Sequence, residues 1–316
     1  MKAFAFVFPG QGSQAVGMLD AWGDHPAVTD TLREASDALN QDLTVLIREG
    51  PREALGLTTN TQPVMLVAGV AAYRAWCAEG GAAPAMMAGH SLGEYSALVA
   101  AGALTLAQAA PLVRYRAQAM QDAVPVGTGA MAAVLGLPAQ QVVAGCAEVM
   151  LSFAAGSGEV VEAVNFNDPG QTVIAGSKAA VDKACELLKA QGAKRALLLP
   201  VSAPFHSSLM RPAAEKLRQK LAETPLLPPG IPVLNNIRAQ VESDPGRIRD
   251  ALYLQAFGAV RWVDCVMAMK AAGIRIVVEC GPGKVLAGLV KRIDAELTGG
   301  ALYDPATLAQ ARELME

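Results

Sequence analysis

A serine flanked by glycines constrains the fold of this chain more than any other feature. Gly89-His90-Ser91-Leu92-Gly93 stands between a short apolar run and an alanine-rich segment of helical character. The pattern predicts a tight turn from a strand into a helix, because a β-carbon at either glycine would collide with the neighbouring elements. Such a turn exposes the hydroxyl of Ser91 as a candidate nucleophile. The same residues also fit the S-x-x-E capping pattern with Glu94, in which the serine would only satisfy free helix amides.

The rest of the chain predicts an α/β protein with a smaller unit inserted into its core. Apolar strands alternate with helices on both sides of the insert, which favours a parallel sheet. The predicted core elements include strands at 3–8, 84–88, 232–237 and 274–279 and helices at 27–39, 63–79, 208–223 and 247–257. Between them the order strand, helix, strand, strand, helix, strand is typical of a ferredoxin-like fold. We therefore expect a core formed by residues 1–126 and 201–316, with a ferredoxin-like subdomain at 127–200.

Composition excludes several classes of function. The 316 residues, 52% of them hydrophobic, suffice for a full α/β core. The longest apolar runs fall well short of the ~18 residues that cross a bilayer, and the first residues are typical of a buried strand. We therefore expect a cytoplasmic protein without a membrane span. The net charge of −3 gives no basis for nucleic-acid binding. The five dispersed cysteines and three histidines lack the spacing of a metal site, so we expect reduced thiols and no metal.

Ser91 needs a partner that removes its proton, most often a histidine. His25 lies in a polar turn, and the side chain of His90 should leave the elbow in another direction. His206 follows a strand and stands where a helix begins, and the positive end of that helix would help to keep the imidazole neutral. We therefore predict His206 as the base. Asp168 is the only arguable acid for a triad, and it lies in a turn that needs no catalytic explanation. A backbone carbonyl can orient the imidazole instead.

Two more polar residues point to the same site. Gln11 lies on a glycine-rich loop after the first strand, where its amide and the backbone N–H of Leu92 would form an oxyanion hole. The alternative for this loop is a loose dinucleotide-binding fingerprint, which lacks the second strand and the acidic residue that such a site requires. Arg116 lies on the flank of the apolar face of its helix, so its guanidinium needs a partner. That partner is either an internal carboxylate or a substrate carboxylate held by two bonds.

Ordered motifs along nearly the whole chain resemble one family, the malonyl-CoA:acyl-carrier-protein transacylases of bacterial fatty acid synthesis. They are FPGQGSQ (8–14), TQP (61–63), GHSLGEYSALVAAGAL (89–104), RAQAMQDAVP (116–125), GTGAMAAV (127–134), NFNDPGQTVIAG (165–176), PFH (204–206) and ECGPGKVLAGL (279–289). The resemblance implies an α/β-hydrolase-like core with the ferredoxin-like subdomain inserted. It also implies that malonyl passes from malonyl-CoA to the phosphopantetheine thiol of acyl carrier protein through a malonyl-serine intermediate. We expect no cofactor and a monomer.

The resemblance also assigns roles by position in these motifs. Ser91 corresponds to the acylated serine, His206 to its base, Arg116 to the carboxylate-binding arginine, Gln11 with Leu92 N–H to the oxyanion hole, Gln62 to a pocket-lining glutamine, Gln255 to the main-chain carbonyl that holds the histidine, and Phe205 to the bulky residue of malonyl-selective members. Two departures concern the geometry. Gly258-Ala259 stands where the family commonly has Asn-Pro, which predicts a looser loop, and Pro111 lies inside the Arg116 helix, which predicts a kink.

Hypotheses from two other classes stay open at this point. A serine hydrolase or thioesterase would share the elbow but release acid to water. The predicted Arg116 clamp and the missing triad acid argue against it. A catalytically silent acyl-CoA or carrier-binding module would bind without forming an adduct. The sequence also leaves open whether the pathway is fatty acid synthesis or a polyketide assembly line served by a trans-acting acyltransferase, and which carrier protein is preferred.

Overall fold

The computed structural model describes residues 2–201 and 203–316. The strands are β1 Phe4–Phe8, β2 Met86–Gly89, β3 Gly129–Leu135, β4 Val161–Asp168, β5 Gln171–Ser177, β6 Arg195–Leu198, β7 Val233–Leu234, β8 Ile276–Cys280 and β9 Thr298–Leu302. The helices are α1 Pro26–Leu39, α2 Leu43–Glu49, α3 Arg52–Gly56, α4 Thr58–Ala78, α5 Gly93–Ala100, α6 Leu106–Gln121, α7 Ala139–Leu151, α8 Lys178–Ala190, α9 Arg211–Glu223, α10 Pro245–Gln255, α11 Trp262–Ala271, α12 Val285–Ile293 and α13 Pro305–Met315. Short 3₁₀ helices lie at Asp20–Trp22 and Ser208–Met210.

The larger sheet is parallel, with strand order β7-β2-β1-β8-β9. Its central strand β1 is buried along its whole length, because helices cover both faces of the sheet. Phe4, Phe6 and Phe8 pack on one side, where the ring of Phe6 meets Trp76 of α4 at 5.5 Å edge to face. The residues between them belong to a second core on the other side. The continuous apolar run FAFVF therefore belongs to a strand whose two faces are both covered by the core.

The smaller sheet is antiparallel, with strand order β4-β5-β3-β6. Its helices α7 and α8 pack on one face around a separate core that includes Val134, Val142, Ile174 and Leu188. Backbone hydrogen bonds tie this sheet to the chain just after α10. Val260 N–H donates to Val164 O at 2.8 Å, and Phe166 N–H donates to Val260 O at 3.0 Å. The end of α10 is thereby fixed between the two sheets.

The site lies beyond the carboxyl ends of the central parallel strands. β1 and β2 are hydrogen-bonded neighbours whose last residues, Phe8 and Gly89, are in register. The loops that follow them carry Gln11 and Ser91 to the same edge of the sheet, where ligands of open parallel sheets usually bind.

A mixed α/β fold with a parallel sheet and a separate antiparallel sheet is confirmed, but several predicted bounds are wrong. Helix α4 begins at Thr58 and not at 63, because Thr61 donates both its N–H and its hydroxyl to Leu57 O and so forms a turn ahead of Pro63. Strand β7 ends at Leu234, because the Asn235 side chain closes a turn with Arg238 N–H and Gln240 O. The elements after residue 280 were not predicted. The segment RALLLPVS (195–202) predicts a strand up to residue 202, but β6 ends at Leu198, and residue 202 itself lies outside the described residues.

Two further findings concern the proline in α6 and the expectation of no membrane span. Pro111 lies inside α6, and the helix continues past it without a break from Leu106 to Gln121. In the described part of the chain, no helix combines the length and the apolar character that crossing a bilayer requires.

The two glycines of the elbow are required by close backbone contacts. A β-carbon on Gly89 would lie 1.8 Å from the carbonyl carbon of Gly93, and one on Gly93 would lie 2.0 Å from Phe8 O. These neighbours are backbone atoms that cannot move aside without displacing β1 or α5. The turn that presents Ser91 therefore exists only with glycine at both positions.

Replacing Gly89 with alanine is expected to lower the free energy of unfolding by about 3 kcal/mol or more, because overpacking against backbone has no rotamer to relax into. Chemical denaturation of wild type and variant measures this. Gly288→Ala is the matched control, since Gly288 lies exposed in α12 with open space around it, and alanine there should stabilise by up to about 1 kcal/mol. Equal effects of the two substitutions would contradict the packing argument.

Candidate active site

Ser91 occupies the turn between β2 and α5 with a left-handed backbone, φ +52°. Its N–H donates to Asn236 Oδ1 at 2.7 Å, which holds this uncommon conformation in place. Its hydroxyl lies 2.7 Å from His206 Nε2 and caps no helix amide, and the residue that caps α5 is Leu92, without a side-chain bond. The capping interpretation of Ser91 and Glu94 is therefore wrong.

His206 is held between Ser91 and the end of α10. Its Nδ1 lies 2.8 Å from the main-chain oxygen of Gln255, the last residue of that helix. A helix end leaves its last carbonyls without intrahelical partners, so this oxygen is free to accept a hydrogen bond from Nδ1–H. The bond fixes the tautomer and turns the lone pair of Nε2 towards the hydroxyl of Ser91. A carbonyl takes the place that an acid has in a triad.

The other candidates for the base and the acid have structural roles. Asp168 pairs with Arg292 at 3.0 Å and accepts a hydrogen bond from Gly170 N–H within its turn. His25 caps α1 by accepting from Ala27 N–H at 3.2 Å. The Nε2 of His90 lies 2.9 Å from Asn167 Oδ1.

The loop beside Gln255 is tightly packed despite its departure from the family pattern. A β-carbon on Gly258 would lie 2.4 Å from Ile237 Cδ1 and 2.8 Å from Leu254 O. Glycine therefore suits this backbone, and the bond from His206 to Gln255 keeps an ordinary length of 2.8 Å.

The environment keeps the imidazole of His206 neutral. Burial, together with the positive charge of Arg116, lowers the pKa of His206 to about 3. From the sequence we expected the positive end of a helix beginning at His206 to keep the imidazole neutral. That expectation is wrong, because α9 begins only at Arg211, after the 3₁₀ helix Ser208–Met210. A neutral imidazole that accepts a hydrogen bond from a serine hydroxyl is in the protonation state that a general base requires.

Arg116 is 2% exposed and lies beside the hydroxyl of Ser91. Its Nη1 donates to Gln62 Oε1 at 2.8 Å, and its Nη2 donates to Gln255 Oε1 at 3.0 Å and to Ser91 Oγ at 3.2 Å. The guanidinium also lies 5.5 Å from the centre of the Tyr95 ring. Among the described residues no Asp or Glu forms an ion pair with it, and its Nε–H is without a partner. The internal salt bridge considered from the sequence is therefore not what neutralises this charge.

These groups face an inner cavity of about 120 Å³. It is lined by Gln11, Gln62, His90, Ser91, Leu92, Arg116, Met120, Met131, Asn165, Leu199, Val201, Phe205 and His206. A larger outer cleft of about 890 Å³ opens between the two sheets. It shares five lining residues with the inner cavity, Gln11, His90, Asn165, Leu199 and Val201. The inner cavity is thus a small chamber with polar and apolar walls that adjoins a much larger cleft.

Gln11 lines both cavities, and its side-chain amide contacts Thr58 in this structure. Its Nε2 donates to Thr58 Oγ1 at 3.4 Å, near the limit for a hydrogen bond. So weak a contact leaves the amide free to turn towards a ligand. Leu92 stands just before the first turn of α5, where backbone N–H groups have no intrahelical acceptor.

Sequence reasoning missed a buried layer behind the site. Glu94 accepts hydrogen bonds from Asn236 N–H at 2.9 Å and from Gln255 Nε2 at 2.8 Å, and burial raises the pKa of Glu94 to about 7. Asn236 also donates to Gly89 O at 2.7 Å. The only signal in the sequence was a single carboxylate in an alanine-rich helix, which capping explained equally well. In the described part of the chain, no three potential metal ligands come together.

A serine on a strand-to-helix turn, bonded to a neutral histidine beyond a parallel sheet, defines the class of enzymes that form an acyl-serine. A family model described as the acyl transferase domain matches residues 5–292. The malonyl CoA-acyl carrier protein transacylase of Escherichia coli strain K12 is 53% identical over 315 residues, which cover 99% of this chain and 100% of that protein. The enzyme of the same name from Bacillus subtilis strain 168 is 42% identical, with 100% and 98% covered.

Solved structures agree with these relatives. An acyl-carrier-protein S-malonyltransferase from Burkholderia pseudomallei 1710b is 61% identical with a TM-score of 0.95, covering 99% of this chain and 100% of that chain. A malonyl-transacylase solved in complex with a type II polyketide acyl-carrier protein is 47% identical, with the same TM-score and coverage. The chain therefore belongs to the acyl transferase family and, within it, to the malonyl CoA-acyl carrier protein transacylases, as its motifs predicted.

Proposed function

We propose that the protein transfers malonyl from malonyl-CoA to the phosphopantetheine thiol of acyl carrier protein through a malonyl-Ser91 intermediate. The observation that carries this proposal is Arg116, a buried cation without a carboxylate partner among the described residues, whose Nη2 lies 3.2 Å from Ser91 Oγ. A buried guanidinium in a cavity is complementary to a substrate carboxylate. Malonyl has that carboxylate at the end of a short acyl chain, and the relatives named above carry out this transfer.

The first half of the reaction forms the intermediate. His206 Nε2 takes the proton of Ser91 as its oxygen attacks the thioester carbonyl, and Nδ1–H donates to the carbonyl of Gln255 as the imidazolium forms. Leu92 N–H and the Gln11 amide hold the oxyanion. The CoA sulfur leaves with the proton from His206, and malonyl stays bound to Ser91 as an ester.

The second half runs in the reverse direction with a different thiol. The phosphopantetheine thiol reaches the ester through the outer cleft, gives its proton to His206 and attacks the malonyl carbonyl. Ser91 regains its proton, and malonyl leaves on the carrier. The inner cavity favours transfer over hydrolysis, because the bound acyl group and apolar side chains such as Met131 and Phe205 restrict the space for water.

Specificity follows from the same contacts. An acetyl group would leave the Arg116 guanidinium buried and unpaired, which is the mismatch that discriminates most strongly between similar substrates. Phe205 is 9% exposed and lines the inner cavity, so it limits room for branches on the acyl chain.

Mass spectrometry of the intact protein after mixing with malonyl-CoA tests the proposal. We expect one malonyl adduct on Ser91 that disappears when a carrier protein with its phosphopantetheine arm is added, and no adduct with Ser91→Ala. Release of free malonate as the main product would instead identify a hydrolase. Tight binding of malonyl-CoA without any adduct would identify a binding module. Either result would overturn the proposal.

Replacing Gln11 with alanine is expected to lower malonyl transfer by on the order of 10² to 10³, the cost of one oxyanion donor. The rate of adduct formation at saturating malonyl-CoA measures this. Gln191→Ala is the matched control, because Gln191 is exposed and bonded to Glu148 far from the site. A loss below about tenfold would remove Gln11 from the oxyanion hole.

We propose that the carrier docks on local basic residues of the surface, despite the negative net charge of the chain. The candidates are Lys189, Lys194, Arg195, Arg211, Lys216 and Lys284. Since carrier proteins of the resembled family are acidic, raising the salt concentration should raise the KM for the carrier. A carrier KM that is insensitive to salt would contradict this. Comparing fatty acid and polyketide carriers in the same assay decides which pathway the enzyme serves.

We also propose the finer description of the fold and of the protein. Residues 1–126 and 201–316 form the α/β-hydrolase-like core, and 127–200 form the ferredoxin-like subdomain. The alternation of two helices with the four strands β4-β5-β3-β6 supports the second assignment. The enzyme works as a cytoplasmic monomer without a cofactor, and sedimentation of the purified protein tests whether it is a monomer.

A further inference from the structure

Gln255 connects the two groups on which the proposed reaction depends. Its main-chain oxygen accepts from His206 Nδ1 at 2.8 Å, and its side-chain Oε1 accepts from Arg116 Nη2 at 3.0 Å. Its Nε2 donates to Ser91 O at 3.0 Å. The residue is fully buried, so water does not compete for these bonds. Whatever orients the Gln255 amide therefore also orients the guanidinium of Arg116.

Glu94 lies on the far side of this amide. Its Oε2 accepts from Gln255 Nε2 at 2.8 Å and from Asn236 N–H at 2.9 Å. The carboxylate is 2% exposed and does not line the inner cavity, so it touches neither substrate nor the reacting atoms. The proposed reaction assigns it no step.

The chemistry of the three partners allows one orientation of the amide. A guanidinium only donates hydrogen bonds, and Glu94 Oε2 already accepts from Asn236 N–H. The oxygen of Gln255 must therefore face Arg116, and its nitrogen must face Glu94. Turning the amide over would place two donors together at Arg116 and two acceptors together at Glu94. In a buried site each of those mismatches costs far more than in water.

We propose that Glu94 is a positioning residue that fixes the Arg116 guanidinium through the Gln255 amide, and that it thereby sets the preference for a carboxylate-bearing acyl group. This inference rests on the proposed malonyl transfer. Long-range charge acts in the same direction as the hydrogen bonds. Burial lowers the pKa of Arg116, and the negative charge of Glu94 opposes that change.

Glu94→Gln tests the inference with nearly unchanged volume. A glutamine at 94 removes the negative charge and leaves one acceptor oxygen beside an amide nitrogen. The Gln255 amide, and with it the acceptor for Arg116, is then held less firmly. We expect the ratio of malonyl-CoA to acetyl-CoA acylation rates at Ser91 to fall at least about tenfold, the cost of one hydrogen bond to a charged group. A purely structural role would slow both acylations alike and leave the ratio unchanged.

Glu242→Gln is the matched control, because Glu242 lines a small internal cavity together with Glu94 but pairs with Arg238 and not with Gln255. Its ratio should equal that of wild type. Gln255→Met provides a second test that does not require the Glu94 variant to fold. It keeps the main-chain carbonyl for His206, removes the amide, and should lower the ratio as Glu94→Gln does.

The outcomes separate this inference from the proposed function. A wild-type protein that forms no malonyl adduct refutes malonyl transfer itself. A wild type that prefers malonyl, together with an unchanged ratio in Glu94→Gln or in Gln255→Met, overturns only the role of Glu94. The proposed role of Glu94 is supported if the ratio of malonyl-CoA to acetyl-CoA acylation rates falls in each of Glu94→Gln and Gln255→Met that folds, while the ratio of Glu242→Gln stays unchanged.

Discussion

Replacing His206 with alanine is expected to slow malonylation of Ser91 by on the order of 10⁵ or more, as loss of the base does in other serine enzymes. No other described histidine bonds to Ser91: His25 caps α1, and His90 is bonded to Asn167. Time-resolved mass spectrometry of the adduct measures the rate. His25→Ala is the matched control and should weaken the cap of α1 without changing the rate of acylation. A fall of less than about a hundredfold in His206→Ala would exclude general-base catalysis by this residue.

The pH dependence of the same step follows from burial. The pKa of His206 is lowered by burial to about 3, so the imidazole stays neutral and able to accept a proton far below the ordinary value of 6.5. Acylation by acetyl-CoA, which does not use the Arg116 contact, should therefore hold its rate between about pH 8 and pH 5. Because the folded state favours neutral His206, its contribution to stability is present above pH 6.5 and is lost as the pH falls towards 3. A rate that halves near pH 6.5 would contradict this assignment.

Replacing Arg116 with alanine is expected to reduce malonyl transfer by about 10³ or more while changing acetyl transfer far less. The malonyl carboxylate would enter the cavity without its positive partner, whereas acetyl has no group that requires one. Adduct rates with the two CoA esters measure the difference.

The control for this prediction lies on the same helix. Arg114 donates to Gln41 Oε1 on the side of α6 away from Ser91, so Arg114→Ala should leave both rates near those of wild type. Equal losses of malonyl and acetyl transfer in Arg116→Ala would mean that Arg116 only supports the fold. Removing the guanidinium leaves the side-chain oxygens of Gln62 and Gln255 buried and unpaired, which should lower the stability of Arg116→Ala. The thermal unfolding temperature of each variant therefore shows whether a loss of activity comes from a lost substrate contact or from a loss of folded protein.

Sequence patterns predicted the parts of the site that depend on residues close together in the chain. The glycines around Ser91 indicate the elbow because backbone contacts at 1.8 and 2.0 Å leave no room for a β-carbon. Gln11 could be placed near Ser91 because both follow buried strands, and parallel strands end at one edge of a sheet. Elements with weaker local signals were missed or misplaced. One example is β7, which ends early because the Asn235 side chain closes a turn after Leu234.

The sequence by itself determined which chemical groups the chain holds and which family it belongs to, because motifs and strand patterns are properties of consecutive residues. Only the tertiary structure decided the protonation states of those groups and the orientation of their side chains. Burial keeps His206 neutral. The packing of the chain gives Arg116 no carboxylate partner among the described residues and brings Glu94 to the side of Gln255 that faces away from Arg116. These properties depend on distances and desolvation between residues that are far apart in the chain, and no local pattern encodes them.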